Sequence, residues 1–418
     1  MTSNPESLQY RRARALGPAS RLFYREPLHI VRGIGTSLFD ADGVEYLDAY
    51  NNVPVVGHCH PRVVDAQNRQ AGLLNTHTRY LSDHIVDYAE RLLATFPADL
   101  SNIMFTCSGS EAVDLAVRIA RHGRAGTGII VTENAYHGTT AAVAAISPSL
   151  GTGQPLGADV RVVPSPHRLD DVASAFPAAV QTAVDDLNRH GHGVAAFIAD
   201  SIFSSDGVVS DPVGFLCGAA EVVRSAGGLY IADEVQPGFG RTGAHMWGFD
   251  RHHVVPDMAV LGKPMGNGMP IAATVLRPDL AEQFGSQIRY FNTFAGNPVA
   301  IAAADAVLDV IEDEELIGNA QRVGAYLKSQ LQRMSSDLPR ISEIRGAGLF
   351  LGVDVVDDDG RPDRGEADRL VNGYRDARVL IGSAGQGNSV LKIRPPLPFS
   401  MNDADRFLTV TEQLLASR

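Results

Sequence analysis

The stretch LGKPMGNGMP at residues 261–270 sets one lysine, Lys263, between an apolar strand and a glycine-rich turn. Upstream, MAVLG (258–262) has the composition of a short buried strand, and the proline and glycines that follow stop it. A lysine that forms a Schiff base needs partial desolvation, which lowers its pKa, and a fixed approach to a carbonyl carbon. A loop lysine bathed in water is the other reading of the same stretch, and the rest of the chain has to separate the two.

On either side of this lysine, from residue 102 to about 276, short apolar runs alternate with helical patterns: NIMFT, TGIIVT, VRVVP, VAAFIAD, LYIADEV, MAVLG and IAATVL. That alternation predicts an α/β fold with a mostly parallel seven-stranded sheet and helices on both faces. Before it, residues 27–50 alternate apolar and polar side chains around Asp42-Gly43, which suits a tight hairpin and predicts an antiparallel ribbon. A helix is expected from Arg62, and a second in which Ile85, Tyr88, Ala89 and Leu92 share one face. From residue 298 two helices lead into short strands (345–355 and 389–396) and a last amphipathic helix at 402–416, a smaller α+β unit, with an exposed charged turn at 357–364. The expected division is an N-terminal segment 1–60 belonging to the small domain, a large domain 61–300 and a C-terminal small domain 301–418.

The 418 residues and their 44% apolar share support a large core, and the formal charge of −12, with no basic stripe, argues against nucleic acid as partner. No apolar run is long enough to span a bilayer, and the basic start (residues 1–17) has no apolar stretch behind it, so a cytoplasmic location is expected. The three cysteines, Cys59, Cys107 and Cys217, form no CxxC pair. His58 and His60 are spaced to point the same way on a strand, but no third ligand stands beside them, and no metal site is expected.

Four segments carry chemistry. CSGSEAVDLAVRIAR (107–121) passes from a strand into a helix, with Ser108 and Glu111 at capping-box spacing and Gly109 letting the backbone come close. The free N–H groups there suit a phosphate, although an ordinary capped helix has the same pattern. LYIADEVQPGFGRTG (229–243) ends a buried strand on Asp233, a carboxylate that needs a partner: a protonated pyridine nitrogen, or a buried ion pair. Its GxGxxG match, Gly238, Gly240 and Gly243, does not open a helix after a first strand, and Lys263 lacks the Walker A glycine because Asp257 stands in that position. Tyr136-His137-Gly138 follows TGIIVT and offers an aromatic for stacking on a flat ring. Thr293 in NTFAGNP has a hydroxyl for a phosphate or simply a turn to make, and Arg394 after LKI has a fork for an anion or a surface salt bridge.

Together and in this order, these motifs resemble the class III aminotransferases of pyridoxal phosphate fold type I, from about residue 27 to the C-terminus. The resemblance implies that Lys263 carries pyridoxal 5′-phosphate as a Schiff base and that Asp233 pairs with the pyridine nitrogen. It further implies that Gly109 and Ser110 hold the cofactor phosphate, with Tyr136 on one face of the ring and Val235 on the other, and Ser108 and His137 as further cofactor-binding residues. Gln236 would lie near the ring oxygen, and Thr293 would reach the phosphate from a neighbouring subunit of a homodimer with shared sites. Within the superfamily, NNVPVVGHCHP (51–61), residues 74–92, GKPMGNGMP, FNTFAGNPV and VLKIRPPLPFS are most similar to the ethanolamine-phosphate phospho-lyases, with true aminotransferases as the alternative. That likeness implies a small phosphorylated amine as substrate, for which Arg394 and Arg79 would form a clamp, with Tyr24 and Asn51 as further candidates. Two departures stand out: Asp200-Ser201 replaces the usual Glu-Pro or Glu-Ser of the class, and Pro237 follows the Asp-Glu-Val-Gln run.

Overall fold

The computed structural model describes residues 7–335 and 340–416, so the first six residues of the N-terminal leader lie outside it. Near the N-terminus, β1 (Ile30–Ile34), β2 (Ser37–Asp40) and β3 (Glu45–Asp48) form the expected antiparallel ribbon. The β2–β3 turn is wider than a two-residue loop. Asp40 pairs its N–H with the Val44 carbonyl at 3.1 Å, its Oδ1 accepts the amides of Asp42 and Val44, and Gly43 takes the left-handed position at φ +81°. Helices Pro61–Ala71 and Asp83–Leu93 follow; the second buries Tyr88 and Leu92, the face its spacing foretold.

The seven apolar runs all become strands: β4 (Asn102–Thr106), β5 (Gly128–Thr132), β6 (Val160–Val163), β7 (Val194–Asp200), β8 (Leu229–Asp233), β9 (Met258–Leu261) and β10 (Ala272–Leu276). They form one sheet in the order β4-β10-β9-β8-β7-β5-β6. This is the mostly parallel α/β sheet of pyridoxal phosphate fold type I. Its strands read as continuous apolar runs because both faces are covered: Tyr230 and Ala232 of β8 join one core cluster, Leu229 and Ile231 the other. Ala259 and Leu261 divide from Met258 and Val260 in the same way on β9.

Downstream come β11 (Ile341–Ala347), β12 (Phe350–Val355), β13 (Val379–Leu380), β14 (Gly382–Ala384) and β15 (Val390–Ile393). Four of these make an antiparallel sheet in the order β11-β12-β15-β14, whereas β13 joins the N-terminal ribbon by pairing parallel with β3. The two ends of the chain therefore share a sheet. In the turn at 357–361 the Asp357 Oδ1 accepts the amides of Asp359 and Arg361, both at 2.9 Å. No helix among the described residues is long and apolar enough to cross a membrane.

Candidate active site

β4 is antiparallel to β10, which is itself antiparallel to β9, so β4 and β5–β9 run the same way and only β10 is reversed. Open α/β sheets place ligands outside the carboxyl ends of their strands. Here those ends deliver Gly109 and Ser110 after β4, residues 136–138 after β5, Asp200 from β7, Asp233 from β8 and Lys263 after β9. With Val235 and Gln236 they line one pocket of about 210 Å³. That is small against the ~300–1,000 Å³ of drug-sized ligand sites, and fits one ring rather than a dinucleotide. A wider groove of about 450 Å³, between helices Pro61–Ala71 and Pro298–Asp313, contains none of the site residues expected from sequence.

Lys263 is carried one residue past β9 by Gly262, and the turn behind it closes through the Met265 amide on the Gly262 carbonyl at 2.7 Å. Asn267, further along, ties that turn to the N-terminal segment through the Val56 amide (3.1 Å) and the Gly57 carbonyl (2.9 Å). The Lys263 amine has no hydrogen-bond partner among the described residues. Burial, and then the charge of Arg394, push its pKa down, while Asp233 and Asp200 oppose the shift. A desolvated amine of this kind is more often neutral, hence nucleophilic and basic.

Asp233 has a defined setting. Its Oδ2 lies 2.6 Å from His137 Nδ1 and its Oδ1 accepts the Val235 amide at 3.1 Å. A carboxylate only accepts, so Nδ1 carries the proton, leaving the buried Nε2 without a partner. Of the two partners open to Asp233 in the sequence, this histidine realises the buried pair while the carboxylate still lines the pocket.

The cradle at the helix Gly109–Arg121 is built as its sequence suggests. Ser108 caps it, accepting the Glu111 amide at 3.3 Å, and Glu111 reaches back to the Cys107 amide at 2.7 Å rather than to that of Ser108. Glycine fits closely at two places, most tightly at the second. A Cβ on Gly109 would meet Val235 Cγ2 at 3.1 Å, and one on Gly138, at φ +142°, would sit 2.4 Å from Ser110 Oγ. Ser110 Oγ also accepts the Thr139 amide at 3.1 Å, and Tyr136, 38% exposed, stands at the pocket mouth.

Arg394 is buried, not on the surface. It donates from Nε to the Tyr50 carbonyl at 3.1 Å and from Nη1 to Gln236 Oε1, and no carboxylate pairs with it among the described residues. Neither Arg394 nor the other substrate candidates are among the residues that line the pocket. The Tyr24 hydroxyl donates to the Ile381 carbonyl at 3.0 Å, the Asn51 amide donates to Asp48 Oδ1 at 2.9 Å, and exposed Arg79 lies over the Phe291 ring at 3.7 Å. Thr293 is exposed and outside its own chain's pocket. His58 and His60 each face a carboxylate, Asp48 at 2.6 Å and Glu314 at 3.0 Å.

Asp200 is a pocket residue that sequence reading did not assign to the site. Its Oδ1 accepts the Ile202 amide at 3.0 Å and its Oδ2 the Ser204 amide at 3.1 Å and the Ser204 hydroxyl. Burial, then the charge of Asp233, raise its pKa. The available signal was a carboxylate at the end of a strand buried on both faces, the same signal that marked Asp233. Nothing local marks Ser204 or Lys392 as site residues: Ser204 reaches Gln236 32 positions on, and Lys392 lies near the ring of Phe350.

A family model for aminotransferase class-III matches residues 23–415. The chain belongs to that family. Among curated class III relatives, it is 41% identical over 94% of its length, and 83% of the other, to a Drosophila melanogaster protein named alanine–glyoxylate aminotransferase 2-like. It is 35% identical over 98% of its length, and 93% of the other, to the Caenorhabditis elegans ethanolamine-phosphate phospho-lyase homolog 1. Among solved structures it is similar to a phospholyase from Arthrobacter in complex with phosphoethanolamine, at 43% identity and a TM-score of 0.95 over 99% of this chain and 100% of that one. The class III cofactor is pyridoxal 5′-phosphate, and the site fits it: a glycine-lined helix N-terminus for a phosphate, a buried carboxylate, a desolvated lysine and Val235 as an apolar wall.

Proposed function

We propose that this class III enzyme is a phospho-lyase that removes phosphate from O-phosphoethanolamine or a related phosphorylated amino alcohol. The observation that carries this reading is Arg394, a buried guanidinium bonded to the pocket wall through neutral acceptors only. Such a charge is favourable once an anion joins it. Lys392, two residues before it and also buried, adds an amine that would take a proton, and so a second positive charge, as a dianion joins it; its Nζ lies 5.9 Å and the Arg394 Cζ 5.4 Å from the Phe350 ring centroid. Two buried cations suit a phosphate dianion better than a single carboxylate, and the likeness to the Arthrobacter phospholyase supports the same choice.

Ser108, Gly109 and Ser110 would hold the cofactor phosphate, Tyr136 and Val235 would flank its ring with His137 behind Asp233, and Gln236 would lie near the ring oxygen. When bound, pyridoxal phosphate supplies an aldehyde for the substrate amine and a ring that takes up the electron pair left by a broken C–H bond. Asp233, oriented by His137, keeps negative charge facing the ring nitrogen. Lys263 accepts the proton from the carbon bearing nitrogen. Arg394 receives the phosphate as the C–O bond on the adjacent carbon breaks and its electrons leave with oxygen. One water hydrolyses the C–N bond, so phosphoethanolamine and water become acetaldehyde, ammonia and phosphate.

The working unit we propose is a homodimer with shared sites. Exposed Leu73, Leu74, Tyr80, Leu81 and Phe294 gather near the Arg79–Phe291 contact, an apolar surface of the sort that marks an interface. Thr293 and Arg79 would then serve the site of the other copy. We also read residues 61–300 as the cofactor domain and 1–60 with 301–418 as the smaller one, in keeping with the β3–β13 pairing.

The second reading, an aminotransferase passing the amino group to a 2-oxo acid, draws on the name of the Drosophila relative. Incubating the holoenzyme with phosphoethanolamine separates them. Equal release of phosphate and acetaldehyde with no acceptor is the expected result; amino acid formed only when a 2-oxo acid is added, with no phosphate released, overturns the lyase reading. Lys263→Ala is expected to lower turnover by at least about 10³-fold and to abolish borohydride trapping of the cofactor on the protein.

A further inference from the structure

We propose that Ser204 and Asp200 are positioning residues for an anion subsite at Arg394, acting through the amide of Gln236. The inference rests on the reading of Arg394 given above and adds what keeps that guanidinium in place and unneutralised.

Four side chains form one chain of hydrogen bonds. The Ser204 hydroxyl donates to Asp200 Oδ2, Gln236 Nε2 donates to Ser204 Oγ, and Arg394 Nη1 donates to Gln236 Oε1. Its ends set its direction. A carboxylate only accepts and a guanidinium only donates, whereas a hydroxyl and a carboxamide do both. With the Ser204 proton committed to Asp200, the serine oxygen is left as an acceptor, so Gln236 has to turn its NH₂ toward it. The amide oxygen then faces Arg394. Asp200 is itself fixed by the Ile202 and Ser204 amides at 3.0 and 3.1 Å, so the anchor is the backbone at the end of β7.

The energetic consequence lies in the kind of partner. A carboxylate at position 236 would pair with Arg394 and compete with any incoming anion; the neutral amide holds the same geometry and leaves the positive charge for the ligand. Loss of the Ser204 hydroxyl leaves the Gln236 NH₂ without its acceptor, so the amide is held from the Arg394 side alone and no longer fixes where the guanidinium sits.

The test is a calorimetric titration of the holoenzyme with inorganic phosphate, which needs no turnover, beside steady-state kinetics on phosphoethanolamine. Ser204→Ala is expected to weaken phosphate binding by about tenfold, the size of one lost hydrogen bond to a charged group. Its kinetic loss should fall more on KM than on kcat, and Ser204→Thr, which restores a hydroxyl, should recover most of the affinity. Gln236→Glu, near in shape, should weaken phosphate binding more than Ser204→Ala does, and serves if the alanine variant does not fold. Phosphate affinity unchanged in either variant, or a wild-type holoenzyme that does not bind phosphate, overturns the proposal. A wild type that leaves phosphoethanolamine untouched while phosphate binding follows this series removes the lyase reading and leaves the relay standing.

Discussion

His137 Nδ1 lies 2.6 Å from Asp233 Oδ2 in a setting where both side chains are nearly inaccessible to water. Removing one member of a buried pair strands the other, at a cost of about 3–5 kcal/mol. In the proposed site the cofactor ring nitrogen would offer Asp233 a second partner. His137→Ala is therefore expected to lower the melting temperature of the apoenzyme more than that of the holoenzyme, and thermal unfolding with and without pyridoxal phosphate checks this difference. Equal losses in both forms would mean that Asp233 does not face the ring.

Lys392 has no hydrogen-bond or ion-pair partner among the described residues, and burial, reinforced by Arg394, pushes its pKa from the ordinary 10.5 down to about 7. Between those two values the unfolded chain binds a proton that the folded chain does not, so this lysine makes stability rise with pH there. Its penalty is complete below about pH 7 and gone above about 10.5. Lys392→Met should stabilise the protein by on the order of 1–4 kcal/mol at low pH, and the gain should shrink as pH climbs through that window. Denaturant titrations at several pH values read this directly. In the same variant phosphate affinity should fall, since one of the two cations has gone.

Gly138 combines φ +142° with a neighbour that a Cβ would strike at 2.4 Å, the hydroxyl of Ser110. Gly138→Ala should displace the 108–110 turn and raise the dissociation constant for pyridoxal phosphate at least about tenfold, given ~1–3 kcal/mol of backbone strain before the clash is counted. Fluorescence titration of the apoenzyme measures it, and far-UV circular dichroism at room temperature should be unchanged.

Leu81 is 105% exposed, and Phe294 is 71% exposed. In a homodimer both would be covered. The double variant Leu81→Lys, Phe294→Lys should sediment as a monomer at micromolar concentration and lose most activity, because Thr293 would no longer be delivered by a second copy. A fully active monomer would rule out shared sites.

Much of the site was legible because its signals are local. LYIADEV announces a strand by its apolar run and an exceptional residue by the acid at its end, while SGSE announces a helix start by spacing alone. Lys263 was legible as a strand-end lysine for the same reason. Asp200 carries the same signal as Asp233, but in the sequence it reads as a departure from the resembled pattern. Arg394 was legible as an arginine before two prolines, but its burial was not, since that depends on Tyr50 and Gln236. Arg79, equally basic and equally close to motif residues, proved to lie over Phe291 at the surface. Nothing in the residues around it sets that outcome.

Periodicity, capping and turn chemistry act over a few residues, so the chain by itself determined the seven strands, the capped helix Gly109–Arg121 and the lysine at the end of β9. Tertiary structure decided which polar atoms meet: His137 with Asp233 across 96 positions, Arg394 with Gln236 across 158. Those pairings follow from six strands pointing one way and from a C-terminal strand delivered beside them. Geometry of that kind depends on how whole elements pack, and no short stretch of sequence contains it.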